Sequence, residues 1–300
     1  MPENLLSVFT NFRINDEERF LRMKDSFHSF KDINATKWII NIRGKYQVET
    51  LSFLKEHLGE KLSAHKSESG KGWFHDSRLL LSELESDFVL YWIEDHINMV
   101  PVEKYSEILG EMKESRSQFL FTSWWFFDQA QNAYEGLKKE SYENIDTIEI
   151  DLAGSRTITE KVGLHFIISA LGLFQTQLFK KVINTNHPIL RRWPKETPFD
   201  IEKRITDRFW LPIRISLPKY EVFAPIDDDL RGYPGSLQSR GLYPLRVLRD
   251  SGIPEQSARE KRLKKCYEQM PAWLRWGADN LILKPYYNLR QLLRRLSYHI

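Results

Sequence analysis

The sequence predicts an α/β fold in which helices cover both faces of a mostly parallel β-sheet. Short apolar runs alternate with helical patterns through the N-terminal third of the 300-residue chain. Each run, such as residues 88–93, is apolar throughout instead of alternating with polar residues. Strands of this kind are typical of parallel sheets buried on both faces, so this third of the chain indicates a layered α/β domain.

The N-terminal third divides into four strands and three helices. Asn15 or Asp16 can cap the first helix, because short polar side chains accept hydrogen bonds from the first helical turn. Gly59 is placed to end the second helix, as glycine commonly does. The predicted strands cover residues 5–10, 37–42, 61–65 and 88–93, and the predicted helices cover residues 16–30, 48–58 and 74–85.

The remainder of the chain is less regular. A loop rich in Gly, Pro and Asp is expected at residues 225–244, and a turn-rich loop at residues 186–198. Helices are predicted at residues 102–115, 176–183 and 201–210, and extended segments at residues 118–127, 144–152, 165–174 and 213–223.

Composition excludes several classes of protein. The single cysteine, Cys266, rules out an intramolecular disulfide and a cysteine-rich metal site. Residues 1–13 lack the features of a signal peptide, and no apolar run reaches the roughly 18 residues of a membrane helix. Neither a P-loop, a dinucleotide-binding glycine pattern nor a GxSxG elbow is present. We therefore expect a cytoplasmic protein that meets the plasma membrane, on its inner face, only from the surface.

Polar residues follow three of the predicted strands. In a parallel sheet the carboxyl ends of the strands share one edge, and ligands bind there. Asn41 is suited to contact a uracil- or cytosine-like edge, and Arg43 to pair with a diphosphate, with a solvated turn as the alternative for each. The residues predicted to bind the ligand at these corners are Thr10, Asn11, Arg13, Asn41, Arg43, Glu94 and Asp95.

The corner after the fourth predicted strand, Glu94-Asp95-His96, carries the most distinctive chemistry. Acidic groups at this edge can hold a divalent cation, Mn²⁺ or Mg²⁺, against a diphosphate and so neutralise the charge that builds on a leaving nucleotide. Asp95 and His96 are the predicted metal ligands, although imidazole is a softer ligand than carboxylate. The alternative interpretation is an exposed acidic turn.

Residues 70–96 combine a Gly-Lys-Gly turn, a helical pattern that contains Arg78, an apolar strand and this acidic triplet. The segment resembles GT-A glycosyltransferases of family 2. The resemblance implies a GT-A-like, Rossmann-type domain over residues 1–250, a nucleotide-sugar donor held by residues 1–100, and Arg78 as a further donor contact. Two departures are a Glu-Asp-His triplet in place of Asp-x-Asp, and Asn41 and Arg43 in place of an acid after the second strand.

The acceptor half of the resemblance covers residues 101–250. Residues 169–179 resemble the acceptor-side segment of the family, in which an acidic cluster that supplies the general base follows. The implied candidates for the base of an inverting transfer are Asp200 and Glu202, which would remove a proton from the acceptor hydroxyl. An ordinary helix start at 197–202 is the alternative. Asp227, Asp228 and Asp229 are candidates for a mobile lid, with a solvated turn as the alternative.

The C-terminal segment, residues 251–300, differs in charge from the rest of the chain. Residues 255–300 carry a net charge of +6, which leaves −3 for the remainder. Within residues 271–300, leucines at 289, 292, 293 and 296 share a helical face, with cations and aromatic residues nearby. This pattern favours an amphipathic helix on an anionic membrane, with a packed terminal helix as the alternative. No nucleic-acid-binding module is present.

The function predicted from these features is glycosyl transfer from a nucleotide sugar to a glycan or lipid-linked glycan, in surface or capsular polysaccharide synthesis. The alternative is a non-catalytic GT-A-like module that binds a glycan or a partner transferase. A nucleotidyltransferase is less well supported, because residues 11–13 lack the required glycine-rich loop. His28, His57 and His165 have no metal-binding spacing and are interpreted as structural.

Overall fold

The computed structural model describes residues 5–122, 134–162, 167–184, 198, 201, 210–226 and 235–243. It confirms the predicted fold class, a mixed α/β fold with a large and mostly parallel sheet. Nine strands form that sheet in the order β3-β2-β1-β4-β9-β6-β10-β8-β7, and seven of them run in one direction. The strands are β1 (Leu6–Arg13), β2 (Lys37–Arg43), β3 (Leu62–His65), β4 (Phe88–Tyr91), β6 (Phe119–Phe121), β7 (Lys139–Ser141), β8 (Ile145–Ile150), β9 (Gly172–Gln175) and β10 (Ile213–Pro218).

Two further strands, β5 (His96–Asn98) and β11 (Phe223–Pro225), pair antiparallel in a small second sheet. Six helices cover the large sheet. Buried side chains of α1, α2 and α4 pack on one face, and those of α3, α5 and α6 pack on the other. The helices are α1 (Glu17–Phe30), α2 (Gln47–Leu58), α3 (Trp73–Arg78), α4 (Lys104–Glu114), α5 (Leu152–Val162) and α6 (Thr176–Asn184).

Helix boundaries in the N-terminal third follow local signals. Asp16 caps α1, because its carboxylate accepts a hydrogen bond of 2.8 Å from the Arg19 backbone N–H. Gly44, just after β2, has a φ of +97°, and a β-carbon there would collide with the Ile14 carbonyl oxygen. Glycine is therefore required where the chain turns from β2 towards α2.

The predicted secondary structure is corrected in three places. The helix predicted at 74–85 ends at Arg78 and is followed by a 3₁₀ turn at Leu81–Glu83. Helix α5 was not predicted, and the strand expected at 165–174 begins only at Gly172. Strand β9 lies antiparallel to both of its neighbours, β4 and β6. The parallel arrangement predicted for β1 to β4 is confirmed.

Candidate functional site

The sheet changes its order of connection at β1. The chain places β2 and β3 successively on one side of β1 and then crosses back to place β4 on the other side. Such a switch point opens a crevice beyond the carboxyl ends of the two central strands, and ligands of open α/β sheets bind there. The corners after β1 and β4 flank this crevice, as the sequence predicts. The corner after β2 is adjacent, since Asn11 pairs in register with Asn41 and Arg13 with Arg43.

Asn11 and Asn41 form a buried amide network at this edge. The Asn41 Nδ2 group donates to Asn11 Oδ1 at 3.0 Å and to the Ser67 carbonyl at 2.9 Å, while Asn41 Oδ1 accepts from the Ser67 N–H at 2.7 Å. Asn11 Nδ2 donates to the Trp73 carbonyl and to Ser77 Oγ, at 3.1 and 2.9 Å. The Trp73 indole N–H in turn donates to the Asn11 carbonyl at 2.6 Å.

The network defines what Asn11 and Asn41 do in this arrangement. Asn41 hydrogen-bonds both the backbone N–H and the backbone carbonyl of Ser67. The sequence predicted that a nucleotide base would present such a donor and acceptor to Asn41. Asn11 links β1 to the start of α3. Both side chains are buried, and their amides hold residues 66–73 against the ends of β1 and β2. Their predicted contact with a donor requires these bonds to exchange and stays a prediction.

Thr10 lies apart from the other residues predicted at the β1 corner, and its contact with a donor stays a prediction. Its neighbours Val8 and Phe12, two residues away along β1, belong to the core on the α1 and α2 face. Side chains alternate across a strand, so Thr10 faces that core and lies on the opposite side of the sheet from Asn11. Its side chain is fully buried, and its hydroxyl has no hydrogen-bond partner. The prediction treated adjacent polar residues as one cluster and ignored this alternation.

Arg13 and Arg43 place two cations side by side at the ends of β1 and β2. Arg13 forms an ion pair with Glu68, and both side chains are 43% exposed. The Arg43 Nε is buried without a hydrogen-bond partner. Burial and the charge of Arg13 lower the pKa of Arg43, while the buried carboxylate of Asp76 opposes that shift. The positive charges of these two adjacent guanidinium groups are only partly offset by the neighbouring carboxylates Glu68 and Asp76, so the environment favours an anion.

Arg78, the third predicted cationic contact, connects two helices instead. It is the last residue of α3, and its Nε donates to the Ile183 carbonyl of α6 at 3.0 Å. The sequence overlooked Asp76, which is only 1% exposed and accepts from the Ser69 N–H at 3.1 Å. An acidic residue just inside the start of an apolar helix was the available signal, because anionic groups are favoured at helix N-termini.

Tyr91 ends β4 with its ring packed against Trp73, with ring centroids 5.7 Å apart. Burial raises the pKa of the Tyr91 hydroxyl well above 10, and the negative charge of Glu94 acts in the same direction. The charge of Arg43 acts against both. Tyr91 is therefore a neutral phenol between the cations of the β1–β2 corner and the acids that follow β4.

The acidic triplet after β4 separates into two different environments. Glu94 is buried, and its Oε1 lies 3.4 Å from Arg19 Nη2 on α1. The Asp95 carboxylate, with 19% of its side chain exposed, lies 2.8 Å from His96 Nδ1. The Ser26 hydroxyl of α1 donates to the His96 carbonyl at 2.5 Å and fixes the backbone of this corner. Asp95 and His96 are therefore in direct contact, and their predicted role as metal ligands stays a prediction.

The predicted metal site was compared with the side chains that the structure describes at this corner. Within the described ranges, no group of three His, Cys, Asp or Glu side chains is placed to hold a metal ion. The donor set that exists is one carboxylate, Asp95, hydrogen-bonded to His96, because Glu94 is paired with Arg19. This set fits the type of Mg²⁺ or Mn²⁺ site in which the ligand's phosphates and water supply the remaining oxygens.

Several predicted residues lie outside the described ranges. They include both candidates for the base, Asp200 and Glu202, and the lid candidates Asp227, Asp228 and Asp229. The basic segment at 271–300 lies outside them as well. Within the described residues, no helix has the length and apolar character needed to cross a bilayer.

Comparison with known proteins gives distant likenesses among solved structures. No protein-family model matches the chain, and no curated protein matches it. Among solved structures, the chain is similar to S. aureus TarS 1-349, with 15% identity, a TM-score of 0.46 and coverage of 73% of this chain and 59% of that one. TarS 1-349 in complex with UDP and with UDP-GlcNAc is 16% identical, with TM-scores of 0.45 and 0.44. The chain spans less than two thirds of these structures and 36% of a longer TarS structure. Likeness at this level decides neither the activity nor the ligand.

Proposed function

We propose that the chain is a GT-A-like glycosyltransferase. It transfers a sugar from a nucleotide donor to a glycan or lipid-linked glycan acceptor in surface or capsular polysaccharide synthesis. One observation carries the proposal: the β1–β4 switch point has paired cations on its β1–β2 side and an assembled Asp95–His96 pair on its β4 side. The diphosphate of a nucleotide sugar complements the paired cations, and a metal cation bound to that diphosphate complements the carboxylate of Asp95.

The two arginines are proposed to bind the donor diphosphate. Arg13 and Arg43 are in-register neighbours, and the Arg43 Nε has no partner. A guanidinium binds phosphate oxygens through short, charge-assisted hydrogen bonds. An anion between these cations would oppose the two causes that lower the Arg43 pKa, which are burial and then the charge of Arg13. The Arg13–Glu68 ion pair would open, at a small cost because both partners are exposed.

Asp95 and His96 are proposed to hold Mn²⁺ or Mg²⁺, and the contact between them orients both side chains. A bound cation supplies neutralisation of the charge on the diphosphate. The proposed reaction is a direct displacement with inversion, in which the acceptor oxygen bonds to the anomeric carbon as the nucleoside diphosphate leaves with the bonding electrons. Asp200 or Glu202 remains the proposed base for the hydroxyl proton.

A non-catalytic module is the second candidate. It is favoured by the buried amides of Asn11 and Asn41, which are satisfied by the chain itself, and by the pairing of Glu94 with Arg19. Such a module would bind a glycan, a nucleotide or a partner without turnover. In either case, attachment to the inner face of an anionic membrane through 271–300 is part of the proposal, and sedimentation with anionic liposomes at increasing salt measures it.

The proposal is tested by calorimetry and a transfer assay with a panel of nucleoside diphosphates and nucleotide sugars, with and without Mn²⁺. UDP and UDP-GlcNAc are the first compounds, because they are the ligands in the similar TarS complexes. We expect binding, sugar release or transfer, and a loss on the order of 10²–10³ in rate for Asp95→Asn. The control is Asp32→Asn, which changes an exposed acid in the loop after α1.

Four results test the candidates. Binding and turnover that Asp95→Asn abolishes while Asp32→Asn does not would support the transferase. Binding without turnover in the wild type would favour the module. A wild-type protein that binds no member of the panel would contradict the transferase. Normal turnover in a folded Asp95→Asn protein would remove Asp95 from the mechanism.

A further inference from the structure

Gln238 lies close to the Asp95 corner, although it is far away in sequence. The Ile226 N–H donates to the Asp95 carbonyl at 2.8 Å, and the Gln238 N–H donates to the Ile226 carbonyl at 3.1 Å. Asp95, Ile226 and Gln238 therefore lie on three adjacent stretches of backbone, and a hydrogen bond joins each stretch to the next. The local sequence around Gln238 predicts no role for it, because nothing in that pattern shows that the chain returns to this corner.

The side-chain amide of Gln238 has an unusual environment. Both of its polar atoms, Nε2 and Oε1, are buried and have no hydrogen-bond partner. Buried polar groups are nearly always paired, since an unmade hydrogen bond leaves the cost of removing the group from water uncompensated. Within the described ranges, Gln238 is the one side-chain amide with both atoms in this state. The donor and the acceptor of this amide are therefore both unused by the described residues.

The fold of this segment does not depend on that amide. Arg240 Nη1 forms an ion pair with both carboxylate oxygens of Glu221, at 2.8 and 2.9 Å. Tyr243 donates a hydrogen bond to Asp25 on α1, which anchors the other end. The backbone is fixed by its bonds to the residues that follow β11. These contacts position the Gln238 amide without using it, as expected for a side chain that binds a ligand.

We propose that the Gln238 amide binds a hydroxyl group of a sugar in the Asp95 corner. A hydroxyl is both a donor and an acceptor, so it complements an amide that has both functions unpaired. This inference rests on the proposed function and adds a specificity-determining residue to it. The hydroxyl belongs either to the sugar of the donor or to the acceptor glycan, and the two sources are separated by experiment.

The test uses Gln238→Leu, which keeps the approximate size of the side chain and removes both polar groups. Its control is Gln118→Leu, because Gln118 is also half-buried but its Oε1 accepts from the Arg214 N–H at 3.3 Å. If Gln238 is unpaired without ligand, Gln238→Leu unfolds at the same or a higher urea concentration than the wild type. Gln118→Leu unfolds at a lower one, because it leaves the Arg214 N–H without its partner.

Binding is measured in the same proteins with UDP and UDP-GlcNAc. A three- to tenfold weaker affinity of Gln238→Leu for UDP-GlcNAc, about the value of one hydrogen bond, with unchanged affinity for UDP, would assign the hydroxyl to the donor sugar. Unchanged donor binding with a similar loss in kcat/KM for the acceptor would assign it to the acceptor glycan.

Two outcomes would overturn the assignment. One is a Gln238→Leu protein that loses stability as Gln118→Leu does, because the amide would then be serving the fold. The other is a variant with normal donor binding and normal transfer. A wild-type protein that binds neither compound would instead count against the proposed function itself, and the sugar assignment would fail with it.

Discussion

The two faces of the β1–β4 sheet differ at their carboxyl edge. The face towards α1 and α2, termed the aromatic face, is packed with aromatic rings. The face towards α3 also packs aromatic rings, and at its carboxyl edge it carries the amides of Asn11 and Asn41. Aromatic packing is non-directional and stabilises in proportion to the area it buries. Hydrogen bonds between amides contribute less free energy but fix geometry. The comparison indicates that packing stabilises both faces, and that the amides of the α3 face position its carboxyl edge.

Trp92, the residue that follows β4, is the centre of the aromatic face. Its ring centroid lies 5.4 Å from that of Phe12, 5.6 Å from that of Trp38 and 6.1 Å from that of Phe27. All three arrangements are edge-to-face, the geometry that aromatic pairs favour. The indole N–H donates to Ser26 Oγ at 2.8 Å, so the buried polar group of the ring is also satisfied.

The largest effect is therefore expected for Trp92→Ala. Removing a fully buried ring typically lowers the free energy of unfolding by about 3–5 kcal/mol, because the surrounding core fills the cavity only partly. Urea unfolding followed by circular dichroism measures the change. Trp92→Phe retains an aromatic ring and should lose less. A Trp92→Ala protein with near wild-type stability would contradict the assignment of stability to this face.

Asn41→Leu tests the α3 face. The change removes three hydrogen bonds and leaves both polar groups of Ser67 without their present partner. We expect a loss of about 1–3 kcal/mol in the free energy of unfolding. We also expect faster tryptic cleavage at Lys66 and Lys71, because the segment between them is no longer tied to β2.

The matched control is Asn34→Leu, an exposed asparagine in the loop between α1 and β2. Surface changes of this kind usually alter stability by less than about 0.5 kcal/mol. Cleavage at Lys66 and Lys71 should stay at the wild-type rate in this control. Unaltered cleavage in Asn41→Leu would show that the amide network does not hold residues 66–73. The α3 face would then have no positioning role that distinguishes it from the aromatic face.

The fold of the N-terminal third was accessible from sequence because its signals are local. Continuous apolar runs mark β1, β2 and β4, and Asp16 and Gly59 mark helix ends. The direction of β9 was not accessible, since it depends on pairing with β4 and β6 from distant parts of the chain. The length of α3 was overestimated because apolar residues after Arg78 continue a helical spacing, while the chain buries Leu81 through a 3₁₀ turn.

The candidate site shows the same difference between features that local sequence predicts and features that depend on distant parts of the chain. In-register pairing of Asn11 with Asn41 follows from parallel strands, and the sequence placed both residues at one edge. Their partner Ser67 comes from a loop, and loop paths leave no periodic signal in the sequence. Thr10 was grouped with Asn11 because polarity was considered without the two-residue alternation of a strand, which places their side chains on opposite faces.

The smallest effect on the free energy of unfolding is expected from the titration of His28, at the outer surface of the aromatic face. The His28 ring on α1 lies 5.4 Å, between centroids, from the His57 ring on α2. Burial lowers the pKa of His28 below its ordinary value of 6.5, and the charges of His57, Lys31 and Lys24 add to this shift, while that of Asp25 opposes it. The folded state therefore binds a proton on His28 less readily than the unfolded chain does.

The sign of the pH dependence follows from that difference. Below about pH 6.5 the unfolded chain binds more protons at His28 than the folded protein, so the free energy of unfolding falls as the pH falls through this window. Above it, His28 is neutral in both states and contributes no slope. His28→Gln should flatten the pH dependence of urea unfolding between about pH 5 and 6.5 and leave it unchanged near pH 8. His57→Gln should flatten it partly, because one of several causes is removed while burial remains. A slope that neither substitution alters would show that His28 titrates alike in both states, and that the aromatic face affects stability through packing alone.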